Sequence, residues 1–210
     1  MLKVLIADDH PIVREGLKRL IQDEFPSAVV EEAEKGQDVI DKLRAPDWDL
    51  VILDINLPDK SGLEVLKEAK ALRETLPIIM LSVYPEEQYA VRALRAGADA
   101  YLTKDLAPYE LIKAVHAVRN GQKHVSAAIT QQLIKSQGHD QPIMPHSTLS
   151  DRELEVLCLF ASGKTSKEIG SLLTISEKTV STYRSRMLMK LHLHTTVDLI
   201  RYALDHRLAE

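Results

Sequence analysis

Residues 50–53, Leu-Val-Ile-Leu, form an uninterrupted apolar run that stops at a carboxylate, Asp54, and passes at once into a loop holding Pro58, Asp59, Ser61 and Gly62. A short run of this kind fits a strand buried on both faces, as in a parallel sheet. In open α/β sheets, ligands bind just beyond the carboxyl ends of the strands. Asp54 therefore stands where such a fold does its chemistry, unless it merely closes a strand and opens a turn. The stretch alone leaves both readings open.

The flanking sequence repeats the unit. Strands are expected over 2–7, 28–33, 49–54, 77–82 and 98–102. Between them lie helical patterns: one opened by Pro11 with Val13, Leu17, Leu20 and Ile21 at helical spacing, one over 36–43, one lined by Leu63, Leu66 and Ala69, and one over 86–95 stopped by Gly97. A last helix starts at Ala107 and Pro108, carries Leu111, Ile112, Val115 and Val118 on one face, and ends before Gly121. Strands alternating with helices mean βαβ units and a doubly wound, five-stranded parallel sheet, commonly in the order 2-1-3-4-5.

In that order strands 1 and 3 are neighbours, and their ends carry Asp8, Asp9 and Asp54. At an effective dielectric near 20, each pair of carboxylates about 4 Å apart costs roughly 4 kcal/mol. Such a cluster needs a cation or must take up protons. Hard oxygen ligands facing solvent favour Mg²⁺. Ser82 at the end of strand 4 and Lys104 after strand 5 reach the same edge. A carboxylate nucleophile, a divalent ion, a hydroxyl and an ammonium suit phosphoryl transfer, where positioning and charge neutralisation supply most of the catalysis.

This set, with Tyr101 three residues before Lys104, resembles the receiver domain of two-component response regulators, and residues 2–121 match in order of elements. The resemblance implies that Asp54 accepts a phosphoryl group from a sensor histidine kinase. It also implies that Asp9, Asp54 and the backbone carbonyl of Asn56 ligate Mg²⁺, with Asp8 helping through water. Ser82 and Tyr101 would form the conformational relay, and Asn56 and Tyr84 would tune the lifetime of the aspartyl phosphate. Where many receivers have Pro after the Lys, this chain has Asp105, which leaves the cis or trans state of the Lys104–Asp105 bond open.

Past residue 121 the pattern changes. Residues 126–135 suit a helix, and 136–147 have no periodicity, so 122–147 is expected to be a partly helical linker between a domain over 1–121 and another over 148–210. From there every signal is helical. Ser150 with Glu153 and Thr165 with Glu168 have capping-box spacing, and Ser176 suits the start of a longer helix reaching about Leu191. A short helix, a tight turn and a longer helix make a helix-turn-helix, and a fourth helix is expected over 195–208. At 100° per residue, Val180, Tyr183, Met187 and Leu191 face the core, while Lys178, Ser181, Thr182, Ser185 and Met189 point away with Arg186 on a flank. Short hydroxyls and cations on a free helix face can enter a major groove, and the preceding helix start brings Thr165, Ser166 and Lys167 to phosphates. A solvated face on an ordinary helical bundle explains the same pattern.

The stretches 149–157, 163–169, 175–180 and 190–191 resemble the LuxR-type helix-turn-helix effector of the NarL/FixJ response regulators. Thr179 and Val180 match the family, but Ser181 stands where a Lys is usual and Tyr183 where a His is usual. The resemblance implies binding to dyad-related half-sites on double-stranded DNA as a homodimer, contact with RNA polymerase, and a dimer contact from the last helix. Val197, Ile200, Ala203 and Leu204 are the candidates there, with core packing as the competing use.

Composition narrows the remaining classes. Residues 1–121 carry 16 Lys and Arg against 22 Asp and Glu, and residues 147–210 carry 9 against 8, so the two parts suit different partners. No apolar run approaches the ~20 residues of a membrane span, the start of the chain lacks a signal-peptide pattern, and one cysteine, Cys158, allows no disulfide within the chain. A cytoplasmic protein that does not engage membranes is expected. The leading reading is a phosphorylation-switched transcription factor rather than an enzyme. Two others remain: a DNA-binding protein with a silent receiver, and a Mg²⁺ phosphatase using Asp54 as a turnover nucleophile.

Overall fold

The computed structural model describes residues 1–45, 47–84, 86–131, 145–206 and 208, with the backbone alone at 87 and 88. The strands β1 (Lys3–Ala7), β2 (Val29–Ala33), β3 (Leu50–Asp54), β4 (Ile78–Ser82) and β5 (Ala100–Thr103) pair in parallel in the order β2-β1-β3-β4-β5. This is the order expected from the sequence. β3 and β4 are buried at every position, which is why their sequences run apolar without alternation. β2 lies at an edge and carries Glu31 and Glu32.

Helices α1 (Pro11–Glu24) and α5 (Ala107–Arg119) pack on one face of the sheet. There Leu17, Ile21, Leu111 and Val115 meet Val4, Ile6, Leu50, Ile52, Ile79 and Leu81. The alternate residues Leu5, Val51, Leu53 and Met80 are equally buried and point the other way. That second face holds α2 (Gly36–Lys42), α3 (Gly62–Leu72) and α4 (Glu86–Arg95).

The first four strands each start one residue later than expected, and β5 runs over Ala100–Thr103 rather than 98–102. The shift in β5 arises because Ala98 closes α4 instead: its N–H donates to the Ala93 carbonyl after Gly97 turns through φ 106°. Beyond α5, His124 forms a parallel bridge to Ala100, and residues 127–131 are helical. Residues 132–144 of the expected linker lie outside the described residues.

The chain divides into two compact units, residues 1–137 and 138–210. The second opens with a 3₁₀ turn (Pro145–Thr148), followed by α6 (Asp151–Ala161), α7 (Ser166–Leu172), α8 (Glu177–Leu191) and α9 (Thr196–Asp205). Capping boxes start α6, α7 and α9, and Ser176 caps α8. Leu154, Leu157, Ile169, Val180, Met187 and Leu199 form its interior, and Cys158 is buried among the same helices. Gly170 lets the turn between α7 and α8 close, since a Cβ there would sit 2.8 Å from the Ile175 carbonyl oxygen. Among the described residues, no helix is long and apolar enough to cross a membrane.

Candidate functional site

Asp54 ends β3 with no exposure. The register sets β1, β3, β4 and β5 to finish at one edge, since Ala7 pairs with Leu53, Asp54 with Leu81, and Ser82 with Thr103. Lys104 is carried there by its backbone N–H, which donates to the Ser82 carbonyl at 2.7 Å. Its Nζ donates to Asp54 Oδ2 at 2.7 Å and lies 2.7 Å from Asp8 Oδ2. The other Asp54 oxygen accepts the Asn56 N–H at 3.1 Å.

Asp8 is also fully buried. Its Oδ1 accepts the His10 N–H at 2.8 Å, and its carbonyl accepts from Arg14 Nη1 at 2.7 Å. Arg14 is itself fixed by Glu32 at 2.9 Å and Glu34 at 2.7 Å. Asp8 Oδ2 is paired with the Lys104 ammonium at 2.7 Å. Asp9 is exposed, and its Oδ1 is 2.7 Å from His10 Nδ1. Asp8, Asp9, His10 and Asp54 present ligand atoms that all lie within 4.8 Å of one another.

Burial pushes the Asp54 carboxyl up to about 7; Lys104 opposes that rise and Asp8 adds to it. For Lys104, burial works against the charge, but the Asp54 and Asp8 carboxylates outweigh it and raise its pKa. One ammonium shared by two buried carboxylates leaves a net negative pocket. Together with the carboxylate oxygens gathered at this edge, that makes the residues present fit for a hard divalent cation.

Ser82 is fully buried, and its Oγ accepts the Tyr84 N–H at 2.9 Å. Tyr101 is turned inward, 2% exposed, and its hydroxyl donates to the Tyr84 carbonyl at 3.1 Å. Asn56 Nδ2 reaches the Tyr84 hydroxyl at 3.3 Å. The Lys104–Asp105 bond is trans, as are the other described peptide bonds. All the residues expected at this edge therefore converge there.

In the second unit, Val180, Met187 and Leu191 face the core as expected and Tyr183 is half-buried. Lys178, Thr182, Ser185 and Arg186 are exposed, and Thr179 and Ser181 are half-buried beside them. Several of these hydroxyls donate locally: Thr182 to the Lys178 carbonyl at 2.9 Å and Ser185 to the Ser181 carbonyl at 3.0 Å. Thr165 and Lys167 are exposed and Ser166 is half-buried at the start of α7, where the Thr165 hydroxyl serves as the cap and donates to Glu168 at 2.8 Å.

The model of the response regulator receiver domain matches residues 4–116, and that of the luxR family of bacterial regulatory proteins matches residues 147–203. The chain belongs to the NarL/FixJ family of response regulators. Response regulator UvrY of Escherichia coli K12 is 36% identical over 209 residues, covering 99% of this chain and 96% of that protein. Response regulator GacA of Pseudomonas aeruginosa is 33% identical over 211 residues, covering 100% and 99%. The structure of RcsB from Salmonella enterica serovar Typhimurium, bound to a promoter in the presence of the phosphomimetic BeF₃⁻, aligns with a TM-score of 0.63 at 29% identity over 96% of this chain and 97% of that one. This response regulator thus joins a receiver to a LuxR-type DNA-binding domain and is not a classical enzyme.

The response regulator's structure also corrects one expectation and adds residues that sequence reasoning missed. Ala203 is fully buried in the effector core and offers no surface for a dimer, because it lies on the same face of α9 as the buried Leu199. Val197 and Leu204 are exposed and Ile200 is half-buried. His10 joins the acidic group, and its position directly after Asp8 and Asp9 was the available signal. Arg14 holds the Asp8 carbonyl, and its place one turn into α1 carries no signal without the fold. Lys190, at the far end of α8, donates to the buried Glu153 at 2.6 Å and to the Thr148 carbonyl at 3.2 Å.

Proposed function

We propose that this response regulator is switched by phosphorylation of Asp54 by a sensor histidine kinase and then binds DNA as a dimer. The observation that carries this reading is the buried Asp54 carboxylate, bonded to Lys104 and set beside Asp8 at the carboxyl edge of the sheet. An Asp54 oxygen attacks the phosphorus of the donor, a new P–O bond forms, and the bond to the donor's nitrogen breaks. Lys104 faces the anionic oxygens of the transferred group, and Ser82, released from the Tyr84 N–H, donates to one of them. Asp9, Asp54 and the Asn56 carbonyl would hold Mg²⁺, with Asp8 helping through water, and the bound ion would supply neutralisation of phosphoryl charge. Inward Tyr101 completes the relay.

At the other end, Lys178, Thr179, Ser181, Thr182, Ser185 and Arg186 of α8 read the major groove, and Thr165, Ser166 and Lys167 approach phosphates. Val197, Ile200 and Leu204 of α9 supply dimer contact, so that two α8 helices meet two half-sites. Structures of RcsB on promoter DNA and of two RcsB dimers on two DNAs support this mode of action. Residues 1–121 form the receiver, 122–147 the linker and 148–210 the effector, which engages RNA polymerase in the cytoplasm.

The test is to incubate the chain with acetyl phosphate and Mg²⁺. One hydroxylamine-labile phosphoryl group per chain is expected, with none in Asp54→Asn. Labelling of Asp54→Asn to the same level would overturn the assignment. Sustained multiple-turnover release of phosphate from small phosphoesters would restore the phosphatase reading.

A further inference from the structure

Tyr84 is the residue on which the rim of the Asp54 pocket converges. Its N–H donates to Ser82, its carbonyl accepts from Tyr101, and its phenol oxygen meets Asn56 Nδ2 at 3.3 Å. Asn56 in turn donates its own N–H to the Asp54 carboxylate. A hydrogen bond of 3.3 Å lies beyond the usual range and holds a half-buried phenol weakly. A second contact fixes the ring. Tyr89, in the first half of α4, is fully buried, and its ring stacks on that of Tyr84 with centroids 5.0 Å apart and planes at 25°.

We propose that Tyr89 is a positioning residue for the lifetime of the phosphoryl group. By stacking on Tyr84 it keeps the phenol beside Asn56 at the mouth of the pocket, where the ring excludes water. This inference rests on the reading of Asp54 as the acceptor. The step it slows is hydrolysis: a water oxygen bonds to phosphorus, the bond between phosphorus and the Asp54 oxygen breaks, and the electron pair stays on the carboxylate. Inorganic phosphate leaves, and the proton lost by the water passes to solvent. Tyr89 touches none of the reacting atoms and acts through the Tyr84 ring. It comes from a different element than Asn56, so α4 gains a direct hold on how long the signal lasts.

The test charges the full-length chain with acetyl phosphate and Mg²⁺, removes the donor, and follows the aspartyl phosphate as it decays. Aromatic stacking of this kind corresponds to about two- to tenfold in a population. Tyr89→Leu is expected to decay faster by that factor, and Tyr89→Phe, which keeps the stacked ring, to decay at the wild-type rate. Tyr84→Ala is expected to decay fast, with no further acceleration when Tyr89→Leu is added. A residue that only supported the fold would add its effect to that of Tyr84→Ala. Wild-type decay in Tyr84→Ala or Tyr89→Leu, additive effects in the double variant, or a Tyr89→Phe as fast as Tyr89→Leu would each overturn the proposal. Tyr84 is half-buried at the rim, so wild-type decay in its variant overturns the proposal even if Tyr89→Leu does not fold. A wild-type chain that takes no phosphoryl group overturns the acceptor reading itself, and this inference with it.

Discussion

Asp54 carries two opposing demands. As the proposed acceptor it would have to be ionised to attack phosphorus, yet burial beside Asp8 holds its carboxyl up to about 7, well above the ordinary value near 4. Between those values the folded chain keeps a proton that the unfolded chain has lost. The protonated group's contribution to stability is therefore full below about pH 4 and is lost as pH rises through 7. In metal-free buffer, the urea midpoint of the receiver is expected to fall between pH 5 and 8 more in wild type than in Asp54→Asn, which cannot ionise. Parallel profiles would contradict it. The carboxylates, Ser82 and Lys104 were legible in the sequence because each lies at or just past the end of an apolar strand, and strand ends share an edge in this topology. Arg14 and Tyr89 were not, because each acts through a tertiary contact between elements distant in the chain. Ala203 was misjudged for a related reason: a helix's pattern marks an apolar stripe, but only its neighbours decide which part of the stripe is covered.

Among the elements, the loop that leaves β3 is held by a close approach. The Gly62 N–H donates to the Ile55 carbonyl at 2.7 Å, and a Cβ on Gly62 would lie 2.0 Å from the Asp54 carbonyl oxygen and 2.7 Å from Ile55 Cα. Those contacts are backbone and cannot yield by rotating a side chain. Gly62→Ala is expected to cost about 3 kcal/mol in urea unfolding and to impair phosphorylation. Gly16, mid-way along α1, would meet nothing within 4 Å, so Gly16→Ala is expected to stabilise by about 0.4–1 kcal/mol. In the effector, Lys190 ties α8 to the buried Glu153 of α6. Lys190→Met is expected to cost about 1–3 kcal/mol of effector stability, measured by urea unfolding, by leaving Glu153 without its cation. The sheet order and nearly every helix were legible from periodicity and caps. The start of β5 was not, since a small apolar residue such as Ala98 fits the end of a helical turn as well as a strand.

At the scale of the whole molecule, the receiver and the effector each have their own core. Phosphorylation can control DNA binding only through a free-energy difference between states that both units feel. A hundredfold gain in affinity corresponds to about 2.7 kcal/mol. That is within reach of a buried site whose net charge changes on phosphorylation, and of a dimer that places two recognition helices on one DNA. Genomic fragments selected by the phosphorylated chain supply the DNA for the decisive measurement. It is the affinity of full-length wild type and Asp54→Asn for a selected dyad-symmetric fragment at fixed salt, with and without acetyl phosphate and Mg²⁺. Wild type is expected to bind about ten- to a hundredfold more tightly with the donor, and Asp54→Asn to bind equally weakly in both conditions. Equal affinities for both proteins in both conditions would contradict the switch and leave a DNA-binding protein with a silent receiver.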